Sequence, residues 1–132
     1  MSRVMNVILT HSCSEMSPAR IADVNNAISD RFEYAFTRIP ASDSEFVGGD
    51  RHMECFVYLA AFNYMPLEHL LAAVKNARWD DPGTVQLFIQ DEDEDRFHEV
   101  TVMSAEEAVA RIRARQEERA NEEYEREHGK SA

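Results

Sequence analysis

Asp91-Glu92-Asp93-Glu94-Asp95 puts five carboxylates in succession, the densest ionisable run in the chain. Two kinds of chemistry use such a run: oxygen ligation of a hard divalent cation, and a charged surface that draws in a basic partner. A calcium loop of the EF-hand type fails on spacing. Counted from Asp91, the sixth position needs a turn glycine and holds Arg96, and the twelfth needs a bidentate acid and holds Val102. The sequence therefore offers no dedicated metal site. A solvated hairpin tip, whose charge discourages edge-to-edge aggregation, is the plain structural use of the run.

Nucleophilic chemistry has one candidate. His11-Ser12-Cys13 follows an apolar stretch, so His11 could deprotonate the Cys13 thiol, although residues two apart meet only if the strand end bends. Cys55, inside an apolar run, reads as a small core residue. His11, His52, His69, His98 and His128 stand singly, and neither C-x-x-C nor H-E-x-x-H occurs. Gly48-Gly49 lacks the surroundings of a phosphate cradle, and there is no G-x-S-x-G elbow. The expectation is a protein without enzymatic activity, cofactor or metal.

Charge gives the stronger signal. Fourteen basic and 25 acidic side chains in 132 residues leave a net charge of −11, which repels nucleic acid and anionic lipid surfaces. Direct nucleic-acid binding is excluded as a general activity. Residues 1–103 carry a net −9 and residues 104–132 a net −2, so the field belongs to the body. Ten of its carboxylates fall on connections: Asp43, Glu45 and Asp50 in one, Asp80 and Asp81 in a second, and Asp91, Glu92, Asp93, Glu94 and Asp95 in a third. Were these connections to share one end of the fold, they would resemble a phosphate backbone. They would then attract the basic, nucleic-acid-binding groove of a partner such as a nuclease, with salt-sensitive association. The reading is an acidic protein-binding module of inhibitor, immunity or anti-defence type, as a phage or mobile element would encode. An acidic surface serving only solubility is the bland alternative.

The longest apolar run, Cys55 to Phe62, is far shorter than the roughly 20 residues of a membrane span. No secretory leader pattern precedes it, and two cysteines suit free thiols in a reducing compartment, so a cytoplasmic protein is expected.

The elements that must position these groups are readable from periodicity. Residues 4–10 are apolar on both alternating faces, as in a central strand covered on two sides. Ser17-Pro18 opens a helix to about Ser29, with Ile21, Val24 and Ile28 as its buried stripe. Residues 31–39 alternate as a second strand, and 40–51 form a long loop. A strand from Met53 to Phe62 leads into a helix from Pro66 carrying Leu67, Leu70, Leu71 and Val74. Two further strands, Val85 to Gln90 and Phe97 to Met103, flank the acidic tip. Ser104-Ala105-Glu106-Glu107 is a capping box opening a long helix, in which only the first two turns carry enough apolar residues to dock. Two segments follow: a globular α+β unit over 1–103, and a charged helix and tail over 104–132.

This β-α-β-β-α-β order resembles the split βαβ, or ferredoxin-like, arrangement, extended by a hairpin strand and a terminal helix. The resemblance is one of element order over roughly residues 4–90, and such sheets host many unrelated activities. A second functional reading follows from the aromatic row Phe32, Tyr34, Phe36. If that face is open, these rings with Tyr58, and His11 or Cys13, would line the pocket of a small dimeric enzyme or ligand-binding protein; if helices cover it, they are core. In the terminal helix, Arg111, Arg113, Arg115 and Arg119 form a basic segment suited to a partner or to the acidic body of a second copy, so a homodimer is compatible with the sequence. Eight glutamates in the same stretch favour a simply solvated helix.

Overall fold

A computed structural model describes residues 3–12, 20–29, 35–39 and 46–128. They form an α+β fold: β1 (Val4–Ser12), α1 (Arg20–Ser29), β2 (Thr37–Ile39), β3 (Cys55–Asn63), α2 (Leu67–Asn76), a 3-10 turn (Pro82–Thr84), β4 (Gln86–Asp91), β5 (His98–Val100) and α3 (Ala105–His128). The five strands make one sheet in the order β2-β3-β1-β4-β5, with every neighbouring pair antiparallel.

β1 lies at the centre, paired with β3 on one side and β4 on the other. Its alternation shows which face is covered. Met5, Val7, Leu9 and His11 are buried, while Val4, Asn6, Ile8, Thr10 and Ser12 are only half-buried. The expectation that both faces of β1 would be covered is therefore corrected: a period of two divides its side chains between a helix-covered face and a barer one.

On the covered side, Val24 and Ile28 of α1 and Leu70, Ala73 and Val74 of α2 pack with Phe36, Tyr58, Phe62, Leu87 and Ile89 into one core. Each large aliphatic or aromatic side chain buried there contributes on the order of 1.5–3 kcal/mol. Leu67 begins the heptad-like stripe of α2 but lies at its exposed first turn. Trp79, the one tryptophan, seals the core beyond α2 and donates its indole N–H to the Val74 carbonyl at 2.8 Å.

Element boundaries also move. Within the described residues the second strand is only Thr37–Ile39, and residues 31–34 and 40–45 lie outside what is described. The last strand is His98–Val100 rather than a run to Met103. α3 departs most from expectation, because its contacts continue well past its first two turns. Lys75 pairs with Glu107 at 3.1 Å, Arg78 with Glu118 at 3.2 Å, and Asp80 with Arg115 at 2.9 Å and Arg119 at 3.1 Å. The arginine segment does find an acidic body, but it is this chain's own. At the helix start, the Ser104 hydroxyl accepts from the Glu107 N–H at 3.1 Å, one half of the capping box, while the Glu107 carboxylate turns to Lys75 and Arg111.

Candidate binding face of the sheet

Directly opposed residues in antiparallel strands share a face, so the register maps the side turned away from α1 and α2. Three rows cross it. Thr37, Leu59, Ile8, Phe88 and Glu99 form the middle one. Ile39, Val57, Thr10 and Gln86 lie toward the Ser12 end; Ala61, Asn6 and Gln90 lie toward the Val4 end. Glu99 is the one charged side chain in these rows.

Two clefts occupy this face. The larger, about 710 Å³, lies at the Ser12 end and is lined by Thr10, Ser12, Cys55, Gln86, Phe88 and Glu99, with the 83–85 and 100–103 segments as its rim. Several of its polar groups have partners: the Thr84 hydroxyl accepts from the Ser12 N–H at 3.2 Å and donates to the Asp81 carbonyl at 3.0 Å, and Gln86 donates to Glu99 at 3.2 Å. The second, about 570 Å³, lies toward the Val4 end and is apolar, with Ile8, Ala35, Leu59, Ala61 and Phe97 on its walls. Leu59 and Phe97 are 37% and 43% exposed, so two large apolar side chains sit bare beside it.

The acidic run lies at the same end of the sheet as this second cleft. Asp91 pairs with Met5 at the Val4 end of the sheet, and Phe97 follows the hairpin turn. Within the run the carboxylates have different tasks. Glu94 holds the turn: its side chain accepts from the Asp91 N–H at 3.1 Å and pairs with the His98 ring at 2.9 Å, and its carbonyl accepts from Gln90 at 3.1 Å. Glu92, Asp93 and Asp95 are exposed, and among the described residues no ion pair reaches them. Residue type alone did not distinguish Glu94 from its neighbours. The signal was its spacing, three residues after Asp91 and four before His98.

Of the eight proposed contact residues that are described, Asp50, Asp80 and Asp81 are not brought together with the five of the hairpin tip. Asp80 and Asp81 precede the turn that enters β4 opposite Thr10, at the Ser12 end, and the connection holding Asp50 enters β3 at that same end, with Cys55 opposite Ser12. The hairpin tip stands at the other end. Asp80 is moreover engaged by Arg115 and Arg119, its side chain only 16% exposed, and Asp81 has interactions of its own. Asp43 and Glu45 lie outside the described residues.

Of the alternative pocket, Phe32, Tyr34 and Cys13 also lie outside the described residues. Phe36 and Tyr58 are buried in the core, Phe36 edge-on to Phe62 at 5.5 Å, because two amphipathic helices cover that face. Neither lines the two clefts described above, whereas His11 is among the residues lining the larger one. His11 is 3% exposed, stacked on Phe56 at 5.0 Å and close to Trp79 at 5.2 Å. The Ser12 carbonyl can only accept, so the Nδ1 atom 2.9 Å from it donates, and Nε2 lies 3.1 Å from the Tyr58 hydroxyl. Both nitrogens face inward, as in a satisfied core histidine. Cys55 is a half-buried free thiol at the larger cleft rather than a core residue.

Among the described residues, no group of three or more His, Cys, Asp or Glu is placed to hold a metal ion, and no helix is long and apolar enough to cross a membrane. Compared with known protein families, curated proteins and solved structures, the chain matches none.

Proposed function

We propose that this protein is a binding module for another protein, and that its contact surface is the hairpin end of the bare sheet face. The observation that carries the reading is one juxtaposition: the turn that carries the exposed carboxylates Glu92, Asp93 and Asp95, which no ion pair reaches among the described residues, leads directly into Phe97, which walls a cleft with Ile8 and Leu59. A partner that fits presents an apolar side chain flanked by Lys or Arg. Burial of the apolar group supplies affinity, and the charges supply fast, salt-sensitive encounter. A nucleic-acid-binding groove, as in a nuclease, has the required charge, and occluding it would make the protein an inhibitor of immunity or anti-defence type. The hairpin cluster, not a ten-carboxylate array, would carry that contact.

The strand order supports a finer reading of the scaffold. With β5 set aside, the order β2-β3-β1-β4 with α1 and α2 over one face supports a split βαβ reading, in which β5 and α3 would be additions. That scaffold leaves its second face available without dictating the use.

Capture from cells of the source organism tests the binding reading. Tagged wild type is compared with Leu59→Arg and with the triple variant Glu92→Gln/Asp93→Asn/Asp95→Asn, at about 0.05 M and about 0.5 M salt. A basic protein retained by wild type at low salt, and lost with either variant or at high salt, is the expected result. An identical captured set for all three proteins refutes the proposed surface.

A further inference from the structure

α3 is attached in an unusual way for a 24-residue helix. Only Ala108 is buried along its length, and Val109 is 47% exposed, so apolar packing against the body is slight. What holds it is a series of charged contacts with the segment that ends α2. Arg111 donates to the Lys75 carbonyl and pairs with Glu107, which in turn pairs with Lys75. Arg115 donates to the Arg78 carbonyl at 2.6 Å and pairs with Asp80; Arg119 shares Asp80, and Glu118 takes Arg78. Guanidinium groups suit this place, because the last carbonyls of a helix lack internal donors and carry the negative end of its dipole.

These contacts bridge a crevice of about 190 Å³ whose walls are Ala77, Trp79 and Pro82 on the body and Arg111, Ala114 and Arg115 on α3. Trp79 is 2% exposed. Exposed ion pairs are screened by salt, whereas apolar packing is not weakened by it. The most enclosed pair, Arg115 with Asp80, is 21% and 16% exposed, which makes Asp80 the centre of the attachment.

We propose that α3 is an ionically latched arm: it docks through Asp80 and the α2 terminus at low ionic strength and lifts when those charges are screened or competed for, uncovering an apolar strip formed by Ala77, Trp79 and Pro82. Lifting leaves the sheet and its core intact. The strip then presents an apolar patch beside the Asp80 carboxylate, open to a basic protein whose arginines take the places of Arg115 and Arg119. This surface lies at the opposite end of the sheet from the hairpin cleft and stands or falls independently of the contact proposed there.

Trp79, the chain's single tryptophan, reports the arm directly. Its emission maximum and acrylamide quenching are followed in the full-length protein from about 0.02 M to about 1 M sodium chloride, with hydrogen exchange of the β1 amides measured in parallel. The expected result is a red shift and a quenching constant raised about twofold or more at high salt, with β1 protection unchanged. Asp80→Asn should show the high-salt signal already at low salt, and Arg119→Gln, a change at an exposed position that leaves folding alone, should move the transition to lower salt. Emission and quenching that stay constant in wild type and in both variants would overturn the proposal, since packing at Ala108 would then hold the arm. A shift accompanied by loss of β1 protection would overturn it equally, because the whole fold would be opening.

Discussion

Replacing Tyr58 by Phe removes one oxygen from the middle of the core and tests whether His11 is a structural residue. The Tyr58 hydroxyl and His11 Nε2 are 3.1 Å apart, and the two residues are 2% and 3% exposed. Leaving a buried polar atom without its partner costs about 1–3 kcal/mol, and about 2 kcal/mol is the expected loss for Tyr58→Phe. At this chain length that is a fall in melting temperature of about 6 °C. Removing both polar members is less costly than the two single changes together: Tyr58→Phe/His11→Leu replaces the pair by apolar groups of similar volume and should be about 1 kcal/mol more stable than additivity requires. Urea titrations of the four proteins, with unchanged slopes, give the cycle. Additive single changes, or a Tyr58→Phe cost below about 0.5 kcal/mol, would refute the assignment of this pair as a mutually satisfying buried contact.

The Glu107 carboxyl is held below its ordinary value of 4.5 chiefly by the hydrogen bond from Lys75, which burial opposes and to which the Lys75 and Arg111 charges and the Arg111 hydrogen bond add. A lowered folded-state pKa stabilises above the unfolded value and ceases to do so as pH falls through the folded one. Urea midpoints measured from pH 6 to pH 3 should therefore drop more steeply below about pH 4.5 in wild type than in Glu107→Gln. Tyr64 has φ of 55°, a left-handed conformation that β-branched residues adopt poorly, and its side chain is 60% exposed. Tyr64→Val should thus lower stability by about 1 kcal/mol while Tyr64→Asn leaves it within about 0.5 kcal/mol, by thermal melting. Leu59→Arg, on the bare face, should change stability by less than about 0.5 kcal/mol, so any binding defect it causes is a surface effect.

Much of the scaffold follows from local pattern. The apolar runs of β1 and β3 and the stripe of Val24 and Ile28 mark elements whose period matches their buried face. Turn chemistry at Asp80-Asp81-Pro82-Gly83 marks the entry to β4. What pattern does not contain is register. The hairpin carboxylates and Asp80 flank the two ends of β4, but that the connection holding Asp50 falls at the Asp80 end depends on pairings between residues as distant as Ser12 and Cys55 or Thr10 and Gln86. The same limit hid the docking of α3. Arg115 and Arg119 read as surface charge because their partner, Asp80, and the carbonyl ends of α2 lie far back in the chain. Glu94 is the counter-example: its partners, Asp91 and His98, are three and four residues away, so its role was within reach of local spacing.

The position of β1 has a consequence for how the chain reaches its native state. β1 is translated long before either strand that flanks it, and β4, opposite Met5, comes last of the three. Until then its apolar residues lack their sheet neighbours, and loops of many tens of residues must close before pairing returns any free energy. Acquisition of structure should accordingly be slow for a domain this small, and nascent chains halted before β4 should depend on chaperones to keep β1 from sticking to its neighbours on the polysome.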